Sequence, residues 1–94
     1  MRRLWLVLLC AAFLCVHVAA AAAATEDRGI LVRIRPPRLV IRELDGSRAV
    51  FRVNRATVIT LNGRRVRLRR LQRGDVLAVD HVGRLALAIQ ALRP

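Results

Sequence analysis

The fold is decided by residues 38–53, which read RLVIRELDGSRAVFRV. On each side of the Asp45-Gly46 pair, inward apolar positions alternate with outward positions that include most of the arginines. A period of two is typical of a half-buried β-strand. Asp-Gly between two such runs is a strong signal for a tight hairpin turn, because the turn needs positive φ at its central residues. The stretch therefore predicts a β-hairpin. Its inward side chains should be Leu39, Ile41, Phe51 and Val53.

The same alternation continues through the rest of the chain as far as residue 92, interrupted by turn signals. Pro36 and Pro37 end the strand that precedes the hairpin, because proline has no backbone N–H to donate to a sheet. Further turns are predicted at Asn62-Gly63 and Gly83-Arg84. The predicted strands outside the hairpin are residues 29–35, 57–61, 64–68, 76–82 and 85–92, with a helical turn at 68–71. For residues 85–92, which are rich in alanine, a helix is the alternative.

A chain of short strands with one apolar face must close on itself or pack against a second sheet. Closure also removes exposed strand edges, which promote aggregation. The sequence therefore predicts an all-β fold. We expect a small barrel, closed or partly open, with five to seven short strands.

The first 24 residues have the three parts of a secretory signal peptide. Residues 1–3 are positively charged, residues 4–18 are apolar, and residues 19–24 are all alanine. Small residues three positions and one position before the cut favour cleavage between Ala24 and Thr25. An uncleaved membrane anchor is the alternative, since residues 4–24 carry no charge and are long enough to span a bilayer.

Three segments follow from this reading: a signal peptide at residues 1–24, a short polar linker at 25–28 and a barrel domain at 29–94. The protein is expected to be exported, either to the periplasm or out of the cell. Both cysteines, Cys10 and Cys15, lie in the leader, so disulfides are not available to the mature domain.

The charge balance is strongly basic and rests on arginine alone. Without residues 1–24 the chain has sixteen arginines and six acidic residues, a net charge of +10. The electric field of such a net charge attracts polyanions, including anionic polymers, lipid headgroups and acidic proteins. A coding bias towards arginine, alanine, leucine and valine is the alternative explanation.

Side chains that carry catalysis or bind metals are scarce after residue 24. One histidine, His81, and one serine, Ser47, are present, and there is no cysteine, lysine or tyrosine. A catalytic triad needs a base oriented by a third group and within reach of a nucleophile, and a metal site needs several converging ligands. We expect a partly exposed His81 at the rim, Asp75 as a turn cap, and Asp80 paired with an arginine. The sequence predicts no enzyme and no cofactor.

The candidate ligand site is a set of outward arginines. Base stacking on aromatic side chains is usual in single-strand nucleic-acid binders, and Phe51 is the only aromatic residue after the leader, so nucleic acid is an unlikely partner. The alternative function is self-assembly through Leu31, Val40 and Val50, which the alternation places outward. The predicted patch for an anionic ligand consists of Arg33, Arg35, Arg42, Arg52, Arg65 and Arg67.

The order of these motifs resembles the bacterial domain of unknown function 5666. The most specific part is Leu-x-x-Leu-x-x-Gly-Asp-x-Leu-x-Val over residues 68–79, and the likeness extends over about 60 residues. The resemblance implies an exported, OB-like small barrel and no assigned functional residue. Periplasmic copper chaperones with an OB barrel are similar in outline, but the methionine, histidine and tryptophan ligands that this comparison implies have no usable counterpart here.

Overall fold

The computed structural model describes residues 24–94, so the predicted signal peptide lies almost wholly outside the described residues. These residues form seven strands and one short 3-10 turn, which confirms the all-β prediction. The strands are β1 (Thr25–Arg35), β2 (Arg38–Glu43), β3 (Arg48–Arg52), β4 (Val58–Leu61), β5 (Arg64–Arg65), β6 (Val76–Val82) and β7 (Leu85–Leu92), with the 3-10 turn at Leu68–Arg70 between β5 and β6.

All seven strands belong to one sheet, in the order β3-β2-β1-β6-β7-β4-β5. The sheet curls until β3 also meets β7, where Arg52 pairs with Leu85 in parallel. This contact between β3 and β7, which we call the seam, is one residue pair long. The antiparallel ladders β1–β2 and β1–β6 each span six residue pairs. The sheet therefore encloses a core without closing evenly around it.

Each predicted strand is present, and two of them differ from the prediction by more than two residues. The strands predicted at 76–82 and 85–92 are β6 and β7, so the helix alternative for 85–92 is wrong. β1 begins at Thr25, and the four residues predicted as a linker pair with β6 instead. β5 keeps only two residues of the predicted strand at 64–68, because the chain turns towards the 3-10 turn.

The core is built from the inward side of the sheet, as the alternation predicts. Leu39 and Ile41 of β2 and Leu77 and Val79 of β6 have no exposed surface, and Phe51 of β3 is 3% exposed. Val53 follows β3 and is half-buried against the same core. The other buried apolar residues are Leu31, Ile59, Leu71, Ala86, Ile89 and Ala91.

The prediction is wrong for part of β1. The alternation places Ile30 inward and Leu31 outward, whereas Ile30 is 42% exposed and Leu31 only 1%. The register of β1 against β2 shifts between Leu31 and Arg33. An extra residue at this β-bulge reverses the inward parity along the strand. Leu31 faces the core before the bulge, and Ile34 packs against the core after it.

Two glycine positions explain how the strands connect. A Cβ on Gly29 would lie 2.5 Å from the carbonyl oxygen of Arg42, so the close approach of β1 to β2 requires a residue without one. The predicted Asn62-Gly63 turn is confirmed, with φ of 50° and 83° at its two residues. Positive φ at both central residues matches the twist of a tight hairpin.

We predict that truncating the two neighbours at the bulge destabilises the fold to different extents. Leu31→Ala should lower the free energy of unfolding by about 2–4 kcal/mol, because it removes buried atoms and leaves a cavity. Ile30→Ala is the matched control and should cost less, about 1–1.5 kcal/mol, because Ile30 is already 42% exposed to water. Urea denaturation followed by circular dichroism measures both. Equal losses, or a larger loss for Ile30→Ala, would contradict the bulged register.

Candidate functional site

The outer surface of β1, β2 and β3 is densely cationic. Side chains two residues apart on a strand share a face, and direct cross-strand partners lie side by side. Three rows therefore cross the three strands, each in the order β1, β2, β3. The rows are Arg35–Arg38–Arg52, Arg33–Val40–Val50 and Ile30–Arg42–Arg48. We call this surface, with its six arginines and three apolar residues, the arginine face.

No carboxylate occupies any position of the arginine face. Within residues 24–94 the ion pairs are Arg28–Glu26, His81–Asp27 and Arg93–Asp75, and none involves an arginine of this face. All six arginines are exposed. Their charges add to one another without local neutralisation, which favours the approach of anions.

Two of the open cavities that border the arginine face are lined only by arginine and apolar residues. The first, of about 570 Å³, lies at the seam between β3 and β7 and is lined by Arg38, Arg52 and Arg84 together with apolar side chains. The second, of about 280 Å³, is lined only by arginine and valine. Its lining residues are Val32, Arg33, Val40, Arg48 and Arg73. Neither cavity presents an acidic side chain to a ligand.

The structure brings together four of the six arginines of the predicted patch. Arg33, Arg35, Arg42 and Arg52 share the arginine face. Arg65 lies on β5, which pairs only with β4, and Arg67 follows it before the 3-10 turn. Both are exposed, but no strand pairing places them beside the other four.

Four arginines at this surface were missed by the sequence reading. Arg38 and Arg48 have the same strand parity as Arg42 and Arg52, so the alternation itself carried the signal needed to find them. Arg73 and Arg84 lie in loops and reach the cavities only through the tertiary fold. No spacing in the sequence connects them to the hairpin.

His81 is half-buried at the end of β6, in agreement with the rim position predicted for it. Its side chain is 13% exposed. Nε2 lies 2.9 Å from Asp27 Oδ2, and Nδ1 lies 2.7 Å from the carbonyl oxygen of Gly83. Its ring also packs against Phe51, with 4.7 Å between ring centroids. These contacts tie the start of β1 to the β6–β7 turn.

Ser47 belongs to the β2–β3 turn and not to a site with His81. Its hydroxyl donates to Asp45 Oδ1 at 2.6 Å, and its backbone N–H donates to the same oxygen at 2.9 Å. These bonds lower the pKa of Asp45, the hydroxyl contributing more than the amide. Among the hydrogen bonds of residues 24–94, none joins Ser47 to His81.

Asp75 is the most buried carboxylate of the described chain, at 2% exposure. Both of its carboxylate oxygens accept hydrogen bonds. Arg93 donates Nε to Oδ1 and Nη2 to Oδ2, each at 2.8 Å. The backbone N–H of Gln72 donates to Oδ2 at 2.8 Å, which confirms the predicted turn cap. Arg93 Nη2 also donates to the carbonyl oxygen of Arg70. The interaction fastens the end of the chain to the 3-10 turn.

Hydrogen bonding from Arg93 is the main reason that the pKa of Asp75 lies below its usual value. Burial opposes this effect by disfavouring the charged form, and the Gln72 amide reinforces it. The carboxylate in turn raises the pKa of Arg93. A carboxylate held charged and fully hydrogen-bonded is a structural group rather than a proton donor.

The prediction that Asp80 pairs with an arginine is wrong. Its cross-strand partners are Glu26 and Ala88, and it belongs to none of the ion pairs of residues 24–94.

Four other acidic residues lie near the β2–β3 turn, where they line a shallow depression. They are Glu26, Asp27, Glu43 and Asp45. In the described part of the chain, no three His, Cys, Asp or Glu side chains are placed to hold a metal ion.

The exposed apolar surface differs from the one predicted. Leu31 is buried, so it cannot join Val40 and Val50 in an interface. The most continuous exposed apolar row crosses β1, β6 and β7 instead. It consists of Ile30, Val76 and Leu92.

Comparison with known proteins identifies no relative of this chain. No protein-family model matches the chain, and no curated protein or solved structure does so significantly. Within residues 24–94, no helix is long and apolar enough to cross a bilayer.

We predict that Asp75→Asn lowers the free energy of unfolding at pH 7 by about 2–3 kcal/mol, because it weakens charged hydrogen bonds to Arg93. An aspartate whose pKa is lower in the folded state stabilises the fold at pH values above its unfolded pKa of about 4. That stabilisation disappears as the pH falls through the lower folded pKa. The difference in free energy of unfolding between wild type and Asp75→Asn should therefore become smaller below about pH 4.

Urea denaturation at several pH values between 3 and 7 measures this difference. Asp45 titrates in the same range and is unchanged in the variant, so its contribution cancels in the difference between the two proteins. A difference that stays constant from pH 7 to pH 3 would show that Asp75 does not stabilise the fold through its charge.

Proposed function

We propose that this protein is an exported, non-enzymatic binding module whose arginine face binds an anionic component of the cell envelope. The observation that carries the proposal is the arginine face itself, where six exposed arginines on three adjacent strands have no carboxylate among them. Two cavities bordered by additional arginines adjoin it. Ligands that fit are phosphorylated or sulfated polymers, lipid headgroups and acidic protein segments.

We also propose that the sheet is an OB-like, partly open barrel. The strand pairings run β1–β2–β3–β7–β6 and return to β1. OB-folds are partly open five-stranded barrels that bind oligonucleotides and oligosaccharides on the face of their second and third strands and on adjacent loops. Here that face coincides with the arginine face, and Arg84 is on the loop between β6 and β7. Membership of the domain of unknown function 5666 is part of the same proposal.

Arginine suits this role better than a simple positive charge would. Its planar guanidinium forms two parallel hydrogen bonds with a phosphate, sulfate or carboxylate group. Binding a polyanion also releases its condensed counterions, which adds affinity at low salt. Base recognition is disfavoured because Phe51, the single aromatic residue of the described chain, is buried. An envelope polyanion is therefore the preferred partner, ahead of nucleic acid.

Export is proposed on the pattern of residues 1–24, with a charged start, an apolar middle and an alanine run. We predict that the mature protein begins at Thr25 or within a few residues of it. Amino-terminal sequencing of protein recovered from the periplasm or medium measures this directly. Material outside the cytoplasm that still begins at Met1 would contradict cleavage and support an anchor.

We predict that Arg38→Gln/Arg48→Gln/Arg52→Gln weakens binding to dextran sulfate and to anionic vesicles. Each lost ionic contact should reduce the steepness of the dependence of log affinity on log salt concentration by about one unit. Affinity measured from 20 mM to 500 mM NaCl, by fluorescence anisotropy or co-sedimentation, gives both the slope and its change.

The matched control is Arg64→Gln/Arg65→Gln/Arg67→Gln, which removes the same charge from exposed positions outside the arginine face. It should change affinity much less than the triple variant of β2 and β3. Equal losses in the two variants would show that net charge alone is responsible. No binding of wild type to any of these anions at low salt would end the proposal.

A further inference from the structure

We propose that the arginine face is divided into two anion sites and selects ligands with two anionic groups separated by a neutral segment. This inference rests on the proposed function and specifies its ligand class. It follows from the distribution of arginine and valine along β2 and β3, in which each strand carries arginine at both ends of the face and valine between them.

The first site lies at the start of β2. Arg35, Arg38 and Arg52 form one cross-strand row, and Arg84 joins two of them in lining the larger cavity. The backbone N–H of Arg52 donates to the carbonyl oxygen of Arg84, which holds the β6–β7 loop beside the row. Three arginines thus line one cavity that has no acidic residue in its lining.

The second site lies at the other end of the face. Arg33, Arg48 and Arg73 line the smaller cavity together with Val32 and Val40. An adjacent depression shares Arg48 and Arg73 with this cavity and is also lined by Arg42. A phosphate or sulfate seated there would meet donors from β1, β3 and the loop before β6.

The two sites are separated by an apolar strip. Val40 and Val50 are direct cross-strand partners in the middle row, and Val50 remains largely exposed. On β2 the outer rows are four residues apart, from Arg38 to Arg42, which corresponds to about 13 Å along an extended strand. An anionic group placed over Val40 and Val50 would lose water, and the only arginine in that row is Arg33, on the β1 side of Val40.

The spacing therefore favours a ligand with one anionic group at each end and a neutral body between them. A disaccharide phosphorylated on both sugars has this form, since its two rings separate the phosphates. Once one phosphate is bound, the second binds intramolecularly at high effective concentration, so the two contacts reinforce each other. A polymer with a charge on every unit contacts the same arginines, but those of its charges that lie over Val40 and Val50 form fewer charged hydrogen bonds.

The test compares a soluble glucosamine disaccharide bisphosphate with the two corresponding monophosphates. Isothermal titration calorimetry at about 50 mM salt should show the bisphosphate binding at least tenfold more tightly than either monophosphate, with one ligand per protein. Arg38→Gln/Arg52→Gln, which disables the first site, should reduce bisphosphate affinity to the monophosphate level. Arg33→Gln/Arg48→Gln, which disables the second, should do the same.

The control Arg65→Gln/Arg67→Gln removes the same charge elsewhere and should retain at least half of the bisphosphate affinity. Circular dichroism and thermal melting of all three variants establish that each is folded. Equal affinity for bisphosphate and monophosphates, with dextran sulfate still bound, would overturn the two-site inference and leave the proposed function intact. Loss of binding to dextran sulfate as well as to the disaccharides would remove both.

Discussion

The inner side of one curled sheet must be kept dry, and this requirement shapes the rest of the molecule. Roughly seventy residues without cysteine supply the core, and a domain of that size buries only about 60% of the surface its unfolded chain exposes. Each strand therefore has to present its apolar residues to the same side. The outer side is left for arginine, whose long side chains remain hydrated while their stems cover apolar neighbours such as Val40.

The same requirement explains the interactions that hold the sheet in its curled form. The seam between β3 and β7 is only one residue pair long, so other contacts must fix the ends of the strands. His81 connects the start of β1 to the β6–β7 turn, and Asp75 connects the end of the chain to the 3-10 turn through Arg93. Closely spaced arginines repel one another, so the charge of the arginine face makes the core and these connections more necessary.

Local sequence signals predicted a large part of this architecture, because period-two alternation and turn residues act over only a few positions. Leu39, Ile41 and Phe51 were placed inward correctly, and β6 and β7 had their predicted limits. The β1 bulge was not predictable in this way, since Leu31, Val32 and Arg33 present an alternation that can be read in either parity. The Asp75–Arg93 contact joins residues 18 positions apart, and the cavities recruit Arg73 and Arg84 from loops. Such contacts depend on the closed fold rather than on neighbours in sequence.

The acidic depression at the β2–β3 turn has a consequence for how the protein meets other molecules. Glu26, Asp27, Glu43 and Asp45 lie at one end of the hairpin, and the row of Arg35, Arg38 and Arg52 lies at the other. Charges sorted in this way give the molecule an electric dipole moment in addition to its net charge. Near a negatively charged surface the protein experiences a torque before contact. Within the hairpin, the row at the start of β2 is attracted more strongly than the turn end, where the carboxylates partly offset Arg42 and Arg48.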